Sequence, residues 1–298
     1  MTGNYRRETK RIIFKSENFT ENDIVGIIMN LEQEYDQNNR LVMERRYDNE
    51  GNLEATMSFQ YDDSGNLIEQ SEIDSSGEFA QKLTFQYDSM SRLIEKDIFY
   101  VDESFDREIY HYNSNNLLDK VEFINYDGER EQITEKRYNN DKLIEENTYD
   151  DSGQFTSSKK WSYDDLGREV KFENETEDQY ILSESVYDDE GRLILRKVYG
   201  KNGNLFETWE RIYNPNPYIE EYWETNRFGR SRYHVNYDEN NRELSRQVTN
   251  ENGEIMLEVE RLYRPDGLLD RQRIIIHGSG MRPSQFEEYR NFYLPLNQ

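Results

Sequence analysis

The chain has 298 residues, 62 of them acidic and 37 basic, for a formal charge of −25, and 34 % are apolar. Even with the 16 glycines added, the apolar share stays under the roughly 45–50 % of ordinary globular domains, which argues against a thick two-sided core. The 23 Tyr, 14 Phe and 3 Trp nevertheless exceed what a disordered acidic chain carries, so the chain is expected to fold. Its charge repels nucleic acid and anionic membranes and suits a basic protein partner, unless the acid serves only solubility and edge protection. With no cysteine, disulfides, thiolate metal sites and cysteine nucleophiles are excluded.

The opening Met1-Thr-Gly-Asn-Tyr-Arg-Arg has no apolar core of an export signal, and no stretch approaches the ~18 apolar residues of a spanning helix. As written, the chain is expected to be soluble and cytoplasmic, without membrane insertion, export by a specialised machine being the other route. Residues 8–15 read as a strand. Thr20 followed by Asp23, Ile24, Ile27, Ile28 and Leu31 has helical spacing behind an N-cap, and a degenerate repeat starting at Phe19 fits the same segment. In either form, residues 1–34 are expected to cap the first exposed edge of a repeat array that begins at Tyr35.

From Tyr35 the chain repeats. Tyr35, Tyr61, Tyr87, Tyr112, Tyr138, Tyr163, Tyr187, Tyr213, Tyr237 and Tyr263 succeed one another at steps of 24 to 26 residues. A second start lies about half a period on, as at Tyr47, Tyr100, Tyr149 and Tyr199, so the elementary unit is a strand and a tight turn. Four residues after most starts comes Gly or Asn, as at Gly65, Gly167, Gly191 and Asn116, which suits a type I turn closing in a bulge. An apolar residue comes at the sixth place. Pairs such as Leu41 and Tyr47, Leu93 and Phe99, or Leu193 and Tyr199 share parity and are expected on one side of the sheet, with polar residues between them. The expectation is an all-β antiparallel meander of about ten tandem two-strand hairpins over 35–277, forming an elongated, curved or spiralling sheet.

Tyr61-Asp-Asp-Ser-Gly-Asn-Leu-Ile-Glu, Tyr163-Asp-Asp-Leu-Gly-Arg and Tyr187-Asp-Asp-Glu-Gly-Arg-Leu-Ile-Leu resemble the YD repeat of the rearrangement-hotspot (RHS) family, which includes wall-associated proteins, toxin-complex shells and teneurins. The resemblance implies a spiralling β shell, which in the bacterial toxins encloses a cargo peptide. Those shells are several times longer and end in an Asp-Pro-x-Gly cleavage region before a toxin domain. Here Arg264-Pro265-Asp266-Gly267 reverses the Pro and Asp order, so neither a closed cargo shell nor a payload carries over.

The largest break in pattern is 213–234, where Tyr213-Asn-Pro-Asn-Pro-Tyr replaces the glycine turn. Tyr218, Tyr222, Trp223, Phe228 and Tyr233 crowd there, either as a binding site, including an aromatic platform for sugar or peptide, or as filling for a wider corner. After a last strand at Ile274–Ile276, residues 278–298 form a tail whose Ser284-x-x-Glu287 box predicts a short helix, with Phe286, Tyr289, Phe292 and Tyr293 covering the terminal edge or docking on a partner. His111, His234 and His277 lie far apart with no metal or catalytic motif around them, and no cofactor is expected. The functional expectation is a non-enzymatic scaffold or protein-binding module presenting an acidic, Tyr-rich face. The alternatives are an encapsulating component beside a toxin or injection assembly and a surface carbohydrate binder.

Overall fold

The computed structural model describes residues 4–280 and 282–296; Met1, Thr2 and Gly3, at the head of the segment read for an export signal, lie outside them. The meander begins with β1 (Tyr5–Phe14), β2 (Ile24–Tyr35), β3 (Leu41–Tyr47), β4 (Leu53–Tyr61), β5 (Leu67–Asp74) and β6 (Phe79–Tyr87). It continues through β7 (Leu93–Phe99), β8 (Phe105–Tyr112), β9 (Leu118–Ile124), β10 (Arg130–Asn139), β11 (Lys142–Asp150) and β12 (Phe155–Tyr163). Then come β13 (Glu169–Thr176), β14 (Tyr180–Tyr187), β15 (Leu193–Gly200), β16 (Leu205–Tyr213) and β17 (Ile219–Asn226). The last are β18 (Gly229–Tyr237), β19 (Glu243–Asn250), β20 (Ile255–Tyr263), β21 (Leu269–Ile276) and β22 (Gln285–Pro295). The chain divides into two compact units, one of residues 1–58, 73–78 and 210–298, the other of residues 59–72 and 79–209.

The all-β antiparallel meander is as the repeat predicts, but the open strip is not. All 22 strands belong to one sheet, and it closes as a barrel because β1 pairs with β22 as well as with β2. The β1–β22 register runs without a shift from Tyr5 opposite Pro295 to Phe14 opposite Phe286. Two strands that would each have presented a row of unpaired backbone groups therefore satisfy one another.

Closure explains why both terminal helices are absent. Ile24–Tyr35 is a strand held between β1 and β3, in place of the helix that its spacing predicts. The run Ile24-Val-Gly-Ile-Ile is rich in β-branched residues and interrupted by Gly26, both unfavourable in a helix. Only a three-residue 3-10 turn, Glu21–Asp23, precedes it, and the Thr20 hydroxyl donates to the Asp23 carboxylate (2.6 Å) instead of capping backbone. At the other end, the predicted helix is β22. Its box residues are engaged elsewhere: the Ser284 hydroxyl accepts the Gly278 N–H (3.0 Å) and Glu287 pairs with Arg11. The tail aromatics pack as part of the closure, with Tyr293 6.4 Å from Tyr5 and Lys10 5.0 Å over the Phe292 ring.

Side-chain parity also differs from the even alternation expected. At each tyrosine turn whose register is described as shifted, the strand leaving the turn gains one extra residue: Tyr87 faces Leu93 while Gln86 faces Glu95, and Tyr187 faces Leu193 while Val186 faces Leu195. Such a bulge reverses the faces beyond it. Leu93 shares a face with Tyr87, whereas Phe99 lies on the opposite face against Phe105, 5.1 Å between rings. Leu143 and Tyr149, Leu193 and Tyr199, and Leu41 and Tyr47 are split in the same way. Within each unit we call the face bearing the repeating tyrosines, Tyr87 and Tyr163 in one and Tyr237 in the other, the tyrosine face and the opposite one the back face.

Burial is thin, as the composition requires. Six apolar side chains are buried among the described residues: Ile12, Phe14, Met57, Val235, Val248 and Val259. The most deeply buried large side chain is a carboxylate, Glu288 on β22, which is 0 % exposed and accepts hydrogen bonds from Arg273 (2.7 Å) and Arg290. Burial disfavours its charge, but the two guanidiniums outweigh it and hold Glu288 below the usual carboxylate range. Glu288→Ala is expected to lower unfolding free energy by about 3 kcal/mol in a urea titration, because it leaves the guanidiniums of Arg273 on β21 and Arg290 on β22 without their shared carboxylate. A loss below about 0.5 kcal/mol would show that the closure does not depend on this ion pair.

Candidate interaction surface

Two kinds of turn alternate along the chain, and they differ in chemistry. The turns that come after the repeating tyrosines, leading from even-numbered to odd-numbered strands, we call A turns; those leading back are B turns.

In the A turn at 88–92, Gly's usual place is taken by Ser91 in a left-handed conformation, and its N–H donates to the Asp88 carbonyl (3.0 Å). One Asp88 carboxylate oxygen accepts the N–H groups of Met90 (2.8 Å) and Arg92 (3.0 Å), and the other accepts Arg92 Nε (2.7 Å). Turns 36–40, 164–168, 188–192 and 238–242 repeat the Asp–Arg clasp at 2.7 to 2.8 Å. The clasped cation then reaches the next A turn. Arg92, Arg168 and Arg242 lie 4.4, 4.6 and 4.7 Å over the rings of Tyr112, Tyr187 and Tyr263. Lys142 takes the same place over Tyr163 at 4.9 Å. Arg92 also donates to the Asn116 side chain (2.8 Å), and a Cβ on Gly191, whose φ is +81°, would sit 3.3 Å from the Arg168 guanidinium. Close approach of the preceding cation is thus a second reason, besides backbone conformation, for a small residue there.

The tyrosine hydroxyl completes the link. Tyr87, Tyr112, Tyr138 and Tyr163 donate to the carbonyls of Leu67, Leu93, Leu118 and Leu143 at 2.7 to 2.9 Å, each at the start of the preceding strand. Tyr187, Tyr263 and Tyr293 do the same to Glu169, Glu243 and Leu269. Tyr237, which lies beyond the irregular 214–218 loop, donates instead to the Glu220 carboxylate (2.7 Å) and is pushed up to about 12, first by burial and then by that bond. The Tyr, Asp and Arg of the motif are therefore engaged with one another and with backbone.

Most B turns lack the arginine, the turn 226–229 with Arg227 being an exception. Turns 48–52, 74–78, 100–104, 125–129, 150–154, 176–179 and 250–254 each carry two acidic residues and no basic one. The first two and the last lie in the first compact unit and the other four in the second. Between turns 100–104 and 125–129 opens a cleft of about 900 Å³ with Tyr100, Phe123, Tyr126, Asp102, Asp106 and Glu131 among its lining residues.

The five aromatic residues singled out at 218–233 are not one platform. Tyr222 and Tyr233 stack on the tyrosine face, 4.5 Å apart and 6° from parallel. Trp223, one residue on, points to the back face, where Arg230 and Arg232 lie 4.4 and 5.7 Å from its ring. Tyr218 sits in the 214–218 loop at one end of the β17–β18 hairpin, and Phe228, 83 % exposed, is in the turn at the other. The three histidines are equally dispersed, each against one glutamate: His111 with Glu122, His234 with Glu221, His277 with Glu258. Among the described residues no group of three or more His, Cys, Asp or Glu is placed to hold a metal ion, and no helix is long and apolar enough to cross a membrane.

No protein-family model matches the chain, and no curated protein matches it. Solved structures similar to it include that of TcdB2-TccC3-TEV, at 12 % identity and a TM-score of 0.38, covering 93 % of this chain and 18 % of that one. TcdB2-TccC3-Cdc42 is similar at 9 % identity and 0.32, covering 93 % and 20 %. A porin-like protein from Bacteroides uniformis ATCC 8492 is similar at 9 % identity and 0.33, covering 97 % and 96 %. The chain spans about a fifth of the two TcdB2-TccC3 chains, and likenesses this low carry no argument about what it does.

Two tests address the turn lattice. Tyr163→Phe keeps the ring under Lys142 and loses only the bond to the Leu143 carbonyl, so unfolding free energy is expected to fall by about 1 kcal/mol. Tyr163→Leu removes the ring as well and is expected to cost more. Acid should act through the clasps. Asp88 and Asp238 are held below the usual range first by the Arg92 and Arg242 side chains, and Asp164 and Asp188 first by the N–H groups of Arg168 and Arg192. Groups whose folded pKa is depressed stabilise above their unfolded value and lose that contribution as pH falls through the folded one. The melting temperature is therefore expected to hold down to about pH 4 and drop below it; a flat profile to pH 2 would contradict the role given to these carboxylates.

Proposed function

We propose that this chain is a non-enzymatic β-repeat scaffold, a short relative of the YD-repeat proteins, that binds a basic protein partner through its acidic B turns. The observation that carries the reading is the unequal treatment of charge: Asp36, Asp88, Asp164, Asp188 and Asp238 are clasped by arginines of their own A turns, whereas seven acidic B turns contain no basic residue. Uncompensated exposed carboxylates beside exposed aromatic side chains such as Tyr126 (64 %) steer and then hold a cationic surface.

Charge at mid-strand favours an aqueous setting. Glu146 bridges Lys136 and Lys159 on the tyrosine face, and Asp97 holds Arg107 at 2.7 and 3.0 Å on the back face. A lipid-facing barrel instead shows an apolar band about 25 Å tall on one face.

The test is capture from lysate of the source cells by tagged protein and by a variant with Glu50, Glu78, Glu103 and Glu129 changed to Gln. The expected result is a stoichiometric protein partner retained by the wild type, lost by the variant and released as ionic strength rises above about 0.15 M. Equal retention by both, or turnover of a substrate with no macromolecule bound, would count against the proposal.

A further inference from the structure

We propose that the cleft between turns 100–104 and 125–129 is the anchor site for an arginine side chain of an extended basic segment in the partner. The inference rests on the binding reading above and locates it. The cleft combines three things an arginine requires. Its walls are aromatic and apolar, with Tyr100 and Tyr126 on facing turns and Phe123 between them in sequence on β9, so a planar guanidinium finds ring faces as well as room for its methylene stem. Its carboxylates come from three separate segments: Asp102 from the first turn, Asp106 from β8 and Glu131 from β10. No Lys, Arg or His lines it.

Those carboxylates are positioned by neutral donors. Asp106 accepts the Tyr100 hydroxyl (2.5 Å), Asp102 accepts the Ser104 hydroxyl (2.6 Å), and Glu131 accepts the Asn125 side-chain amide (2.9 Å). Each bond orients a negative charge without cancelling it, in contrast to the arginine clasps of the A turns. Apolar side chains are exposed at the same place: Val101 is 72 % exposed, Tyr126 64 %, Tyr100 38 % and Phe105 36 %. An acidic surface needed only for solubility gains nothing from leaving aromatic and aliphatic side chains uncovered beside its carboxylates. Arginine is favoured over lysine because its flat, weakly hydrated cation stacks on a tyrosine while donating to a carboxylate in the ring plane.

The test uses the intact chain and fluorescein-labelled (Gly-Arg)4 and (Gly-Lys)4 peptides, followed by fluorescence anisotropy at about 0.15 M ionic strength. The (Gly-Arg)4 peptide is expected to bind more tightly than (Gly-Lys)4. Tyr126→Ala, which alters no charge, is expected to weaken it roughly tenfold, and Glu131→Gln to weaken it by a similar factor. Phe228→Ala, which removes a still more exposed aromatic residue from another B turn, should leave binding unchanged, and the melting temperature of each variant reports folding. If Tyr126→Ala binds like the wild type, the arginine site is wrong while salt-sensitive binding of either peptide still supports the general acidic surface. If the wild type binds neither peptide, the site is overturned, and the capture experiment decides the broader reading separately.

Discussion

The structure depends on one recurring contact, the bond from a tyrosine hydroxyl to the backbone carbonyl that opens the preceding strand. In a sheet with so few buried apolar side chains, cross-strand pairing alone supplies little, and a half-buried phenol that also satisfies a carbonyl joins packing to hydrogen bonding at one residue. The Asp beside it shapes the turn, the Arg after it is clasped by that Asp, and the clasped cation covers the next tyrosine. A repeat that carries this cation therefore holds its successor. A regular repeat step of 24 to 26 residues is a consequence, because the hydroxyl must meet the same carbonyl each time.

The same contact separates architecture from recognition. Residues that make the motif conspicuous, Tyr, Asp, Gly and Arg of the A turns, are engaged with each other and have little left to offer a partner. The B turns are bound by no such chain of contacts. They keep the Asx-type bonds that shape a turn, as Asp150 does to Gln154 and Asn125 to Glu129, and their remaining side chains are free to carry acid and exposed aromatics. Recognition is thus expected where the motif is weakest.

Closure by β22 onto β1 has the further effect of burying apolar side chains of β1. Ile12 and Phe14 become buried because Glu288 and Phe286 come to lie opposite them, and Glu288 brings Arg273 and Arg290 with it. A buried carboxylate between two guanidiniums is a demanding element, and its cost is tolerable only where both strands are already committed to pairing.

The amino-acid sequence by itself determined the strands, their number per repeat and their turns, because Tyr-Asp spacing and left-handed Gly or Asn positions act within a dozen residues. Gly65, Gly167 and Gly191 all have the positive φ their positions implied. Tertiary structure decided what depends on residues far apart. The Ser284 box and the Thr20 cap are valid local helix signals, overruled because β1, at the opposite end of the chain from β22, offers a full ladder of backbone partners. It also decided the faces: a bulge of one residue after Tyr87 or Tyr187 reverses parity, and nothing in Leu93 or Tyr199 taken singly records that. The aromatic run at 218–233 was conspicuous in sequence yet is divided between two faces and two ends of one hairpin, since neighbours along a strand point apart. The acidic cleft was missed for the opposite reason, its Tyr100, Asp106, Tyr126 and Glu131 being drawn from separate turns and strands that only pairing brings together.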